Sequence, residues 1–188
     1  MKLTKWNIDP KNSEASFKVR KLMITTVEGQ LQLFDGQAET KTQAFESINR
    51  ICFKAEVNSI KTDDPKRDEH LRSADFFHMD KYPHILFVAE DFNVYQGEVE
   101  TNLTIKNITK PVLLHVDFTK PLLGENGQEE VDVVVSGSIN RREFGLTWDG
   151  TNQAGELIVG DYIKLSAKVK FVKQTENVPA EHIKECVL

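Results

Sequence analysis

The chain has 188 residues, 39% of them apolar and 28% charged, which is enough for one domain with a sizeable core. Its net charge of −5 sets a mean field that repels phosphate polyanions and anionic lipid heads, and both dense basic runs, Arg67 to Arg72 and Arg141-Arg142, are broken or followed by acids. These features argue against a nucleic-acid partner, and no stretch approaches the ~18 apolar residues of a membrane-spanning helix.

The first twenty residues lack the apolar run of a signal peptide, so a cytoplasmic protein is expected. Phe17 and Val19 then alternate with polar neighbours, and the same rhythm carried forward puts Lys21 and Met23 on the dry face. Leu31 and Leu33 follow, with a hairpin expected at Asp35-Gly36. Ile51, Phe53, Ala55 and Val57 oppose Arg50, Lys54 and Glu56; Cys52 falls on the polar side, and with Cys186 in the tail it is expected to be a free thiol.

Asp64-Pro65 interrupts the alternation as a helix start, Asp capping and Pro at the first position. Three- and four-residue spacing sets Arg67, His70 and Leu71 on one face, and Ser73 can cap a second turn presenting Asp75, Phe76 and Phe77. The segment reads either as a plug with solvated charges or as a gate, with its phenylalanines against an apolar ligand and Arg67 or His70 near a polar head.

Strand rhythm resumes at Ile85, Phe87 and Ala89, then at Val99, Thr101, Leu103 and Ile105, and again at Val112, Leu114, Val116 and Phe118. Turns are expected at Gln96-Gly97 and Asn126-Gly127, and Lys110-Pro111 at a strand start. Val131, Val133, Val135, Gly137 and Ile139 form the next dry face, which extends to Arg141 unless Gly137 is a bulge. Asp149-Gly150 signals another turn. The last strand is the most regular: Ile163, Leu165, Ala167, Val169 and Phe171 on one side, Tyr162, Lys164, Ser166, Lys168 and Lys170 on the other. A domain over 1–175 and a tail over 176–188 follow, with Ile183 and Val187 spaced for a short helix packing on the barrel or against a second subunit of a homodimer, a frayed end being the equal alternative.

About eight strands with no long helix must bury their apolar side against each other, so the predicted fold is an all-β, elongated antiparallel barrel with a helical insertion near 64–77. Eight strands enclose a bore that side chains just fill or that holds one slender ligand. A cation on the dry face needs a carboxylate, water or an anionic head. For Arg141 the alternatives are a rim acid such as Glu143 or Asp149, or a ligand head. Catalytic patterns are weak: His70, Ser73 and Asp75 lie too close together for a converging triad, and no metal or phosphate-loop motif occurs, so no cofactor is expected.

Several pieces stand in a distinctive order and spacing: Trp6-Asn7-Ile8-Asp9-Pro10, Phe17 to Gly29, Ser59 to Thr62, RDEHLRSADFF at 67–77, Tyr82-Pro83, Thr109-Lys110-Pro111-Val112, and Ile139-Asn140-Arg141 before Phe144-Gly145-Leu146. Together they resemble the YceI-like family of lipocalin-like, polyisoprenoid-binding bacterial proteins. The resemblance spans roughly residues 5 to 173. It implies a lumen for a long-chain lipid-like molecule such as a polyisoprenoid or fatty amide. Together with the alternation and helix spacing above, it makes the expected lumen and rim residues Phe17, Val19, Lys21, Met23, Arg67, His70, Leu71, Phe76, Phe77, Arg141 and Phe144. It implies no established catalysis; members are often exported, and some are linked to stress responses. Lys21 replaces the family's usual His, Glu143 the commoner Asp, and the G-x-W mark of classical lipocalins is absent. The leading expectation is a non-catalytic lipid binder. Its rivals are an isomerase or cyclase using His70 or Asp75, and a filled barrel acting as an interaction module.

Overall fold

A computed structural model describes residues 3–22, 24–151, 153–155 and 158–175. The strands are β1 (Thr4–Ile8), β2 (Glu14–Lys21), β3 (Thr25–Leu31), β4 (Phe34–Thr40), β5 (Ser47–Glu56) and β6 (Ile60–Lys61). The helix α1 (Pro65–Arg72) follows, then β7 (His84–Asn93), β8 (Glu98–Ile105), β9 (Ile108–Phe118), β10 (Leu122–Leu123), β11 (Glu129–Asn140) and β12 (Val159–Lys173). All pairings are antiparallel, and eight strands close a ring in the order β12, β11, β9, β8, β7, β5, β4, β1 and back to β12. Closure removes the unpaired edges that an open sheet of this length would expose.

Two strands share one edge of β12. β2 pairs along Val159 to Lys168, and β1 pairs along Phe171 to Lys173. β3 and β4 repeat the arrangement one position round, β3 beside β2 and β4 beside β1. The barrel wall is thus a single layer whose strands are split into a half carrying β2, β3 and β6 and a half carrying β1 and β4.

One end is stoppered by aromatic side chains. Trp6 stacks edge-on against Phe45 at 5.1 Å, Phe45 lies 5.1 Å from Phe171, and all three are buried. The indole N–H of Trp6 donates to Thr40 Oγ1 at 3.1 Å, so the stopper leaves its one polar atom satisfied. In the other half, inward residues of the same strands are only half-buried. Along β12 Val169 and Phe171 are buried, whereas Ile163, Leu165 and Ala167 are not; along β2 Ala15 is buried, and Phe17 and Val19 are not. The barrel is a cup, stoppered at one end and hollow toward the other.

Several sequence expectations change. Asp35-Gly36 is no hairpin: Gly36 pairs with Phe53 inside β4, where Ile8 and the backbone of Cys52 approach too closely for a side chain. Lys110-Pro111 lies within β9, with Pro111 opposite Asn102, and the turn before it is at Lys106 and Asn107, Lys106 having φ +57°. Gly137 keeps regular register with Leu165 and Leu114, so no bulge interrupts β11. Leu33 is exposed, and Val57 is in a 3-10 turn. β1 carries no expectation from periodicity, because five residues are too few to establish it. Cys52 is disulfide-bonded rather than a free thiol; Cys186 and the expected tail helix over 179–188 lie outside the described residues.

Candidate functional site

The hollow half holds a cavity of about 400 Å³, with walls from β2, β3, β7, β8, β11 and β12. Below it, toward the stopper, lies a second apolar space of about 140 Å³. Ser16, Leu31, Phe87 and Leu165 border both. Phe17 leaves the upper space open by lying over Gly29, its cross-strand partner, where any side chain would displace the ring. The walls are almost wholly aliphatic and aromatic, so the hydrophobic effect favours an apolar occupant over water.

The mouth is framed by α1 and the turn after it. Asp64 caps the helix by accepting from the backbone N–H of Lys66 and Arg67, and those bonds hold its carboxyl below the usual carboxylate range. Asp68, buried, accepts from Thr62 N–H at 2.8 Å and Thr62 Oγ1 at 2.6 Å, and Arg72 donates to Ile60 O. The helix is therefore moored to β6. It carries His70 and Leu71 to the cavity wall, and the following turn delivers Phe76 and Phe77. His70 meets Trp148 edge-on at 4.8 Å and Phe76 at 5.1 Å, while its Nε2 lies 2.9 Å from Asp75 Oδ2. Phe76 is buried under this cluster, whereas Leu71 and Phe77 are part-buried on the wall, so the segment both packs and lines.

Arg141 answers the alternative left open for it. It is 1% exposed and every guanidinium nitrogen is engaged. Nε donates to Gly160 O at 3.0 Å, Nη1 to the carbonyls of Leu146 and Trp148 at 2.6 and 2.9 Å, and Nη2 to Asp149 at 2.9 Å and Asp161 at 3.4 Å. The irregularity in β12 between Val159 and Ile163 brings Gly160 and Asp161 into range. Arg142 shares both carboxylates, and its bond to Asp149 together with that of Arg141 holds the Asp149 carboxyl low. Arg141 borders the cavity but has no donor left for a ligand head: it fastens the Trp148 loop to β12. That corrects its assignment as a head-group contact, in favour of the rim-acid alternative; Asp149 serves, with Asp161, and not Glu143.

Of the other expected site residues, Phe17, Val19, Lys21, Arg67, His70, Leu71, Phe76 and Phe77 all border this one cavity. Arg67 is already committed to Thr62 and Asp63. Phe144 is not on the wall. It sits buried in the 3-10 turn Arg141–Phe144, which corrects its assignment to the lumen. Met23 lies outside the described residues. Trp148 and Val27 were missed. The alternation of Leu146 and Trp148 just past Arg141 was the available signal for the first, and the cross-strand position opposite Val19 for the second.

A YceI-like domain model matches residues 6–171. This chain belongs to the YceI-like family. A UPF0312 protein of Staphylococcus epidermidis is 31% identical over 173 residues, covering 90% of this chain and 98% of that one, and one from Staphylococcus aureus strain USA300 is 29% identical over the same span. Among solved structures, BcnA of Burkholderia cenocepacia superposes with a TM-score of 0.70 at 18% identity, covering 87% of this chain and 98% of its own. A polyisoprenoid binding domain from Saccharophagus degradans, implicated in plant cell wall breakdown, superposes at 0.61 with 13% identity, covering 92% and 100%. At such identities the structural likeness establishes a shared YceI-like barrel.

Proposed function

We propose that this protein binds, without chemical turnover, one long-chain apolar molecule such as a polyisoprenoid or a fatty amide. The tail would lie down the bore and the polar end at the mouth. The observation that carries the reading is the apolar cavity of about 400 Å³ continuing toward a second apolar space. The Saccharophagus degradans domain, described as polyisoprenoid-binding, supports an apolar ligand class. Each CH₂ moved from water into such a bore contributes about 0.8 kcal/mol, so roughly a dozen buried carbons offset an association cost of order 4–15 kcal/mol.

An enzymatic alternative would have to use the His70–Asp75 pair, which stands beside the cavity. The His70 ring lies edge-on to Trp148 and Phe76, a packing arrangement that favours a structural role. Under the binding reading, His70→Ala abolishes no turnover, because none exists. Native mass spectrometry of the purified protein before and after organic extraction tests the proposal. A co-purified lipid mass that extraction removes, and that Leu165→Trp excludes, is the expected result. Substrate conversion inside the barrel, or an unliganded protein that rejects added prenyl alcohols, overturns it.

A further inference from the structure

Among the described residues, the cavity mouth carries free cations on a chain that is acidic as a whole. Overall, 29 acids outnumber 24 Lys and Arg. Around the cavity opening stand Arg20, Lys21 and Lys66, while the nearby acids are already engaged: Asp64 caps α1, Asp63 holds Arg67, Asp75 meets His70, and Asp149 and Asp161 hold Arg141 and Arg142. Among the described residues Arg20, Lys21 and Lys66 have no ion-pair partner, and all three border the cavity.

Beside this collar the β2–β3 turn projects an apolar tip. Ile24 is 89% exposed, the most exposed large hydrophobic among the described residues, and Leu22 before it takes the left-handed conformation, φ +51°, with its N–H donating to Ile158 O. A cation that only had to hold one ligand head would need no isoleucine held out in water. An apolar tip beside unpaired cations is the two-part signature of a surface that rests on an anionic bilayer, apolar side chain in the acyl boundary and ammonium groups at the phosphates. The opposite end offers a contrast: Leu122 and Leu123 are also exposed there, but they border neither cavity and stand beside Glu129 and Glu130, already ion-paired with Lys173 and Lys170.

We propose that the protein docks mouth-first on anionic membranes through Ile24, Lys21, Lys66 and Arg20, so that an apolar chain passes between bilayer and bore without crossing water. The proposal rests on the bore being a lipid site, since only then does the mouth need to meet a bilayer. The unfavourable mean field of the chain makes docking weak and short-ranged, as suits a reversible encounter.

Flotation with vesicles tests it, using pure phosphatidylcholine and phosphatidylcholine containing about one-third phosphatidylglycerol. The protein is expected to float with the anionic vesicles alone, and to be released as salt shortens the screening length from ~10 Å at 0.1 M to ~3 Å at 1 M. Lys21→Gln with Lys66→Gln lowers partitioning about 25-fold, roughly fivefold per basic residue. Ile24→Asp lowers it as well, and Leu123→Asp leaves it unchanged. Flotation insensitive to the lysine pair, or lost equally in Leu123→Asp, overturns the proposal, as does absence of the wild-type protein from the anionic vesicles. Uptake of a fluorescent prenyl alcohol in vesicle-free buffer separates the two claims. Uptake without flotation defeats docking and leaves the lipid-binding reading standing; flotation with the expected variant pattern and no uptake supports docking and defeats the reading it was built on.

Discussion

The two ends of this barrel are made from the same strands and the same residue types, yet one is stoppered and the other is open. On β12, Phe171 is buried against Phe45, while Leu165, six residues earlier on the same face, borders empty space. The difference comes from what is laid across each end. Phe45, from the connection before β5, drops into the lower end with Trp6; at the upper end Phe17 lies over Gly29, and α1 and the Trp148 loop frame the opening. Alternation therefore determines which face is dry, and the end pieces determine whether that face encloses protein or a guest.

Substitutions can break or sharpen this contrast. The largest losses are expected where packing or pairing is complete. Trp6→Ala opens the stopper and should cost about 3–5 kcal/mol, read from denaturant midpoints. Arg141→Ala should cost up to ~3 kcal/mol, because it strands the carbonyls of Leu146, Trp148, Val159 and Gly160 and leaves Asp149 and Asp161 to Arg142 alone. On the hollow wall, Ile163→Ala should cost less than about 2 kcal/mol, since few packed neighbours are lost, while weakening ligand binding. Lys21→Met should fall within about 0.5 kcal/mol of the parent protein. A loss at Ile163 as large as at Trp6 would mean the bore is filled.

The ends should also respond to opposite changes of pH. At the mouth, hydrogen bonds from Arg142 and Arg141 depress Asp149, and the backbone of Arg67 depresses Asp64. A lowered carboxyl contributes stability above its unfolded pKa, near 3.9, and loses it as pH falls through the folded value. Toward the stoppered end, Glu130 and then Asp132 raise Lys170, whose contribution is complete below about 10.4 and is lost as pH rises through the folded value. Hydrogen exchange should show acid loosening the 146–149 loop and the α1 start first, and alkali loosening the pairing of β11 with β12 near Lys170. The reverse order would contradict the assignment.

The long strands were legible because a period of two needs only a strand's own residues, and the inward set of Ile163 to Phe171 stands as read. The capping of α1 was legible for the same reason: Asp64, Pro65 and the N–H groups it serves are adjacent. What escaped depends on distant partners. Gly36 reads as a turn because Asp-Gly favours one locally, and only the approach of Ile8 and Cys52 shows why glycine sits inside β4. Lys21 and Arg141 read alike, as cations at the ends of dry faces. The carboxylates that occupy Arg141 come from 8 and 20 residues away, and Lys21 has no such partner among the described residues. Hollow and stoppered ends could not be told apart, because the residues on both are equally apolar.

Calorimetric titration of the purified, delipidated protein with a series of prenyl or fatty chains of increasing length tests the central claim most directly. Affinity should rise with each added carbon, by up to about 0.8 kcal/mol per CH₂, until the tail meets the Trp6–Phe45–Phe171 stopper and the gain ends. An affinity that does not depend on chain length would contradict a hollow bore as the binding site.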